Sequence, residues 1–95
     1  MIYEIVIKPQ AEVDLFESTQ WYETQKKGLG IRFLESVEEK MKLIGENPLK
    51  YQIRYRTVRF ALIQRFLFAI HFVVEDRKIF VLAVLSTHRN PRIWE

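Results

Sequence analysis

The chain has 95 residues, with 15 Lys and Arg against 12 Asp and Glu, and it contains no Cys. This length is that of one domain, because domains usually have ~50–200 residues. Hydrophobic residues make up 48% of the sequence and aromatic residues 14%, which excludes intrinsic disorder because so much apolar surface offsets the entropy lost on ordering. The absence of Cys excludes disulfides, thiol nucleophiles and thiolate zinc sites. We expect a single domain over residues 1–95, soluble and cytoplasmic.

Charge is distributed unevenly along the chain. Residues 1–49 carry six basic and nine acidic side chains, whereas residues 50–95 carry nine basic and three acidic ones. Seven of the nine basic residues are Arg, whose guanidinium group suits bidentate contacts with phosphate or carboxylate. The second half therefore indicates an anionic partner, either RNA or an acidic protein surface, unless its charges only solvate a strand face. No apolar stretch approaches the ~20 residues of a membrane helix, so no membrane is expected as a partner.

The first half of the chain predicts one strand and a helical hairpin. Residues 2–7 are rich in β-branched and aromatic side chains, as strands are. Apolar residues at helical spacing predict a helix from Ala11 to about Lys26, preceded by a Pro that suits a first helical turn. The sequence Gly28-Leu29-Gly30 interrupts this pattern, and a second helix is predicted from about Ile31 to Gly45. So short a joint predicts that the two helices pack antiparallel.

After Tyr51 the hydrophobic pattern changes from helical to alternating. Residues 53–63, 66–74 and 78–86 predict three strands joined by short polar turns. The last is apolar on both faces and is expected to be central in the sheet. The order predicts an α+β fold: a strand, an antiparallel helix hairpin and a three-stranded antiparallel meander, with the helices on one face of the sheet. The other face is expected to carry uncovered apolar residues flanked by Arg, which is typical of a protein-binding surface.

His88 is the one candidate acid–base residue of the sequence. It follows the last predicted strand and precedes Arg89. An imidazole beside guanidinium groups can relay a proton while a ribose 2′-OH attacks its own phosphate, a reaction that needs no metal. The alternative is that His88 only hydrogen-bonds the tail. His71 alternates with aromatic residues inside a strand and is expected to be structural. With two His and no thiol, we expect neither a metal site nor a cofactor.

Other basic and aromatic side chains are candidates for partner contacts. Arg65 is predicted at a hairpin turn, where it either contacts a ligand or only solvates the turn. Arg59 lies on the strand before that turn, where edge charge also prevents aggregation. Trp94 either stacks on a nucleic-acid base or fills a gap in the core.

Short motifs along nearly the whole chain resemble those of the RelE/ParE toxin superfamily. They are Pro9-x-Ala11-x-x-Asp14-Leu15, Tyr22, Gly28-Leu29-Gly30-x-x-Phe33-Leu34, Asn47-Pro48, Arg65-Phe66-x-Phe68-x-Ile70-x-Phe72 and His88-x-Asn90-Pro91-x-x-Trp94. Within the superfamily the chain is most similar to the ParE-like, plasmid-stabilisation branch, whose members often show the Gly-Leu-Gly joint and an Arg-Asn/Asp-Pro-x-x-Trp ending.

The resemblance implies the toxin of a type II toxin–antitoxin pair, neutralised by a small, acidic or amphipathic antitoxin that forms a hetero-oligomer with it. ParE-like toxins poison DNA gyrase, which implies a toxin that binds its target without catalytic chemistry. For that function we expect Arg59, Arg65, Arg89, Arg92 and Trp94 to contact gyrase.

RelE-like toxins instead cleave mRNA in the ribosome. In that alternative His88 is the catalytic acid or base, and Arg65 and Arg89 hold the phosphate. Two departures disfavour the nuclease: Ala69 stands about where such nucleases carry an Arg, and Trp94 stands where they carry a Tyr. A third alternative is a degenerate member that binds its antitoxin but harms nothing.

Overall fold

The computed structural model describes residues 2–87, which form two helices and one sheet. The elements in chain order are β1 (Glu4–Ile7), α1 (Pro9–Gln25), α2 (Leu29–Glu46), a 3₁₀ turn (Pro48–Lys50), β2 (Ile53–Tyr55), β3 (Val58–Ile63), β4 (Phe68–Glu75) and β5 (Lys78–Ser86). Within the described residues the sheet has five strands in the order β1-β5-β4-β3-β2. β1 runs parallel to β5, and the other neighbouring strands are antiparallel. The predicted α+β fold is confirmed.

The apolar core lies between the helical hairpin and one face of the sheet. α2 presents its buried side chains at spacings of three or four residues, from Phe33 through Val37 and Met41 to Ile44. The sheet contributes buried residues of β3, β4 and β5 to this core, among them Ala61, Ile63, Ile70, Phe72, Ile79, Val81 and Val84. Burying a large aliphatic or aromatic side chain contributes about 1.5–3 kcal/mol. The helices are thus fixed on one face of the sheet.

β5 is the central strand that its sequence predicts. It lies between β1 and β4, so hydrogen bonds form along both of its edges. Five of its side chains are buried, and they come from both faces of the sheet: Ile79, Val81, Ala83, Val84 and Leu85. A strand buried on both faces reads as a continuous apolar run, which is what the sequence shows.

The structure divides the predicted strand 53–63 into β2 and β3. Arg56 has a φ of 50°, which lies in the left-handed region and turns the chain between the two strands. The meander therefore has four antiparallel strands within the described residues, where three were predicted. Gly, Asn or Asp usually marks such a turn, and an Arg gives no signal for it.

The Gly28-Leu29-Gly30 joint closes the helical hairpin by two different means. Gly28 has a φ of 87°, which suits a residue without a Cβ. Gly30 lies so close to α1 that an added Cβ would stand 2.7 Å from the carbonyl oxygen of Thr19. The carboxylate of Glu23 accepts hydrogen bonds from the N–H groups of Gly28 and Gly30, both at 3.0 Å. α1 therefore caps the first turn of α2, where backbone N–H groups have no partner within the helix.

Asp14 ties α1 to the middle of the sheet. Its side chain is 6% exposed. Oδ2 accepts a hydrogen bond from the Val84 N–H at 3.0 Å, and Oδ1 accepts one from Gln10 Nε2 at 3.2 Å. Val84 lies beside the β4–β5 register shift at His71 and Phe72. A buried carboxylate is thus stabilised by donors, and it sets the position of the helix on the sheet. Across residues 2–87, neither helix is long and apolar enough to cross a membrane.

Candidate functional site

A cleft of about 510 Å³ opens beside the β3–β4 turn, on the face of the sheet that the helices leave uncovered. Its floor is formed by side chains of β3 and β4: Phe60, Leu62, Ala69 and His71. Arg54, Arg65 and Leu67 stand around it, and Ser86 and Thr87 complete its wall at the end of β5. We call this surface the sheet cleft. It is apolar at the floor and basic around it, as predicted for the uncovered face.

Stacked rings form one side of the sheet cleft. The Phe60 ring lies on the His71 imidazole, with 3.9 Å between ring centroids and 25° between ring planes. Tyr55 meets Phe60 edge-on at 6.0 Å. The Arg54 guanidinium lies 5.6 Å from the Phe60 centroid, within the range of a cation–π contact. His71 is 3% exposed, and its burial and stacking fit the structural role expected for it.

The β3–β4 turn holds Arg65 at the rim of the sheet cleft. Arg65 has a φ of 78° and Leu67 a φ of 54°, so the residues on either side of Phe66 both have left-handed backbone. Both of their side chains are exposed, whereas Phe66 packs inward at 5.1 Å from the Tyr22 ring. Sequence reasoning placed Arg65 at a turn, and the structure does so too.

Hydrogen bonds fix the backbone of this turn at two successive carbonyls. The Tyr22 hydroxyl donates to the Phe66 carbonyl oxygen at 2.9 Å. The Thr87 N–H donates to the Leu67 carbonyl oxygen at 2.8 Å. Burial raises the pKa of Tyr22, because an apolar environment disfavours the phenolate. The hydroxyl therefore keeps the proton that it donates.

Arg59 lies apart from the sheet cleft. It stands opposite Phe72 in the β3–β4 register and therefore on the helix-facing side of the sheet. Its Nη1 donates to the carbonyl oxygens of Tyr51 at 2.6 Å and Leu49 at 3.3 Å. These bonds hold the 3₁₀ turn and the residue that follows it, so Arg59 has a structural role. The structure does not bring Arg59 and Arg65 together, and a target contact at Arg59 stays a prediction.

The remaining candidates lie outside the described residues. They are His88, Arg89, Arg92 and Trp94. Of the residues assigned to the nuclease alternative, the structure describes Arg65 alone. Within residues 2–87 no three His, Asp or Glu side chains come together in a way that could hold a metal ion.

A second apolar surface lies on the outer side of the helical hairpin, and sequence reasoning did not predict it. Phe16 is 64% exposed and Ile31 is 60% exposed. They line a groove of about 560 Å³ between α1 and α2, which we call the helix groove. Trp21, which is 56% exposed, does not line this groove and instead shares a smaller pocket with Phe68 and Val84. The signal in the sequence was an apolar residue on the charged side of each helix.

Comparison with known proteins assigns the chain to a family. The family model described as ParE toxin of type II toxin-antitoxin system, parDE, matches residues 5–91. A solved chain described as "Chromosomal ParDE TA system from P. aeruginosa" matches with a TM-score of 0.78 and 17% identity, over 90% of this chain and 96% of that one. At this identity the likeness is one of fold. No curated protein matches the sequence. Because the family model covers nearly the whole chain, the protein belongs to the ParE toxin family of type II toxin–antitoxin systems.

Proposed function

We propose that this chain is a toxin that inhibits DNA gyrase by binding it in the cytoplasm, without catalytic chemistry of its own. The observation that carries the proposal is the sheet cleft, an arginine-rimmed apolar surface in a chain of the ParE toxin family. Arg54 and Arg65 stand at this cleft, and no acidic residue lines it among those described. Such a surface complements a protein segment that carries carboxylates.

The composition of the sheet cleft suits tight protein binding. Arginine and aromatic side chains supply a large share of the residues that dominate binding energy at protein interfaces, especially around a desolvated centre. An exposed Arg65 and the stacked rings of Phe60 and His71 line the same cleft. The hydrogen-bonded β3–β4 turn also favours tight binding, because a surface that is already ordered loses less entropy when a partner binds.

A cognate antitoxin is the second proposed partner. The helix groove, which shares no lining residue with the sheet cleft, exposes Phe16 and Ile31. Exposed apolar surface of this kind is usually covered by a partner. A partner that binds only the folded toxin stabilises it, by about 2.7 kcal/mol when its concentration is ~100 times Kd. The antitoxin is therefore expected to raise the melting temperature of the toxin.

A gyrase supercoiling assay with matched arginine variants tests the proposal. Wild-type protein, purified without antitoxin, is expected to inhibit supercoiling in proportion to its concentration. Arg65→Ala is expected to raise the half-inhibitory concentration about tenfold or more, the effect of losing a hot-spot arginine. Arg77→Ala removes another exposed arginine, from the turn at the other end of β4, and it is expected to inhibit like wild type.

Two results would contradict the proposal. Equal losses in Arg65→Ala and Arg77→Ala would indicate a general effect of charge rather than a contact at the sheet cleft. No inhibition by folded wild-type protein would exclude gyrase as the target. The mRNA endonuclease alternative would then be tested by cleavage on translating ribosomes, with His88→Ala as the variant.

A further inference from the structure

Leu67 is an exposed apolar residue in a backbone conformation that leucine disfavours. Its φ is 54° and its side chain is 61% exposed. Asn or Gly adopts left-handed backbone far more readily than Leu, and either would expose less apolar surface at this turn. Core packing does not select a leucine here, because the inward residue of the turn is Phe66. Strain of this kind is found where surrounding structure holds a residue for a functional purpose.

The surrounding structure presents Leu67 and Arg65 outward as a pair. Phe66, between them, is held by the Tyr22 hydroxyl at its carbonyl and by ring contacts with Tyr22 and Phe33 at 5.1 and 5.3 Å. The carbonyl of Leu67 is held by the Thr87 N–H. Anchoring the middle residue inside leaves both flanking side chains in solvent. The turn is therefore ordered before any partner arrives, which lowers the entropy lost on binding.

Leu62 extends this apolar surface into the sheet cleft. It is 53% exposed and stands opposite Ala69 in the β3–β4 register. The methyl side chain of Ala69 is too small to cover it. Leu62 and Leu67 line the same cleft as Arg54 and Arg65.

This arrangement indicates the chemistry of the occupant. Two exposed leucines complement an aliphatic or aromatic side chain. Arg54 and Arg65, which line the same cleft, complement carboxylates, and no lining residue among those described offers a negative charge. We propose that Leu62 and Leu67 form the docking site for the protein target of the toxin, and that they receive an apolar side chain of gyrase flanked by Asp or Glu. This inference rests on the proposed function, since it takes the target to be gyrase.

Substitutions that suit the local backbone test the role of the leucines separately from folding. Leu67→Asn removes the apolar side chain but tolerates left-handed backbone. Leu62→Thr replaces the leucine with a smaller, more polar residue whose β-branched side chain suits a strand. Leu49→Asn is the matched control, because Leu49 is 56% exposed and lies in the 3₁₀ turn, away from the sheet cleft. Each variant is titrated in the supercoiling assay, and its melting temperature is measured with and without the co-encoded antitoxin.

The expected result is a loss of inhibition without a loss of stability. Leu67→Asn and Leu62→Thr are expected to raise the half-inhibitory concentration by about tenfold or more. Leu67→Asn is expected to melt at or above the wild-type temperature, since strain is relieved. Leu49→Asn is expected to inhibit like wild type, and all three variants are expected to be stabilised by antitoxin.

Other outcomes would overturn the inference in distinguishable ways. If wild type inhibits gyrase and both cleft variants inhibit equally well, the docking site is wrong while the proposed function stands. If the variants keep inhibition but lose stabilisation by antitoxin, the occupant of the cleft is the antitoxin instead. If folded wild type does not inhibit gyrase, the proposed function and the inference both fail.

Discussion

Replacing Gly30 with alanine is expected to destabilise this protein, although alanine is the better helix former. The new Cβ would stand 2.7 Å from the Thr19 carbonyl oxygen and 3.0 Å from Glu23 Oε1. The carbonyl belongs to the backbone of α1 and cannot rotate away, so the two helices must move apart. Overpacking of this kind costs about 1–3 kcal/mol, and the gain in helix propensity is at most ~1 kcal/mol. Because the clash is with a backbone atom at 2.7 Å, the cost lies in the upper part of this range, and the expected net loss is about 1–2 kcal/mol.

Thermal unfolding followed by circular dichroism measures this loss. For a domain of this size 1 kcal/mol corresponds to about 4–8 °C in Tm, so Gly30→Ala is expected to melt ~4–16 °C below wild type. Gly45→Ala is the control in the same helix, because its Cβ would meet Ile5 Cδ1 at an ordinary 3.5 Å. That variant is expected to melt a few degrees higher. A Gly30→Ala protein that melts at or above the wild-type temperature, beside a stabilised Gly45→Ala, would refute the close approach of the helices.

Two further predictions concern buried polar groups. Asp14→Ala leaves the Val84 N–H without its carboxylate acceptor, so urea unfolding is expected to show a loss of about 1–3 kcal/mol; an unchanged midpoint would contradict this. Burial raises the pKa of Tyr22 above 10.0, and burial together with the Glu46 carboxylate raises that of Tyr51. The unfolded chain thus releases these protons first, and the free energy of unfolding is expected to fall as pH rises above about 10. A Tyr22→Phe, Tyr51→Phe double variant is expected to show a shallower fall over the same pH range, and an equal slope would refute the assignment.

The sequence predicted the helices and the central strand well because their signals are local. The apolar stripe from Phe33 to Ile44 has helical spacing, and α2 buries that stripe. The two glycines of the Gly28-Leu29-Gly30 joint fall where the chain reverses between α1 and α2. β5 is apolar on both faces and lies inside the sheet. For α2 and β5, the burial of apolar side chains explains both the spacing of these residues in the sequence and the place of each element in the fold.

Turns formed without glycine were less accessible to sequence reasoning. Arg56 and Leu67 both have left-handed backbone, and neither residue type signals it. The division of strand 53–63 into two therefore had no local marker. The exposure of Leu67 depends on Phe66 being held from inside by Tyr22, a residue 44 positions away. Such a contact exists only after the helices have packed on the sheet.

The roles of some polar residues depend on hydrogen bonds to distant parts of the chain, and the sequence does not reveal these partners. Asp14 belongs to a recognisable motif, yet its partner Val84 lies 70 positions away. Glu23 reads as an ordinary charged residue near a helix end, and its two bonds to the next helix are visible only in the structure. A polar residue on the apolar side of a helix was the one available signal, and it applies to Asp14 alone.

Gyrase inhibition is tested by titrating purified, antitoxin-free wild-type protein into a gyrase supercoiling reaction. We predict that supercoiling falls as the toxin concentration approaches and passes that of gyrase, and that added antitoxin restores it. Full supercoiling in the presence of excess toxin, with a cooperative melting transition proving that the toxin is folded, would contradict the account.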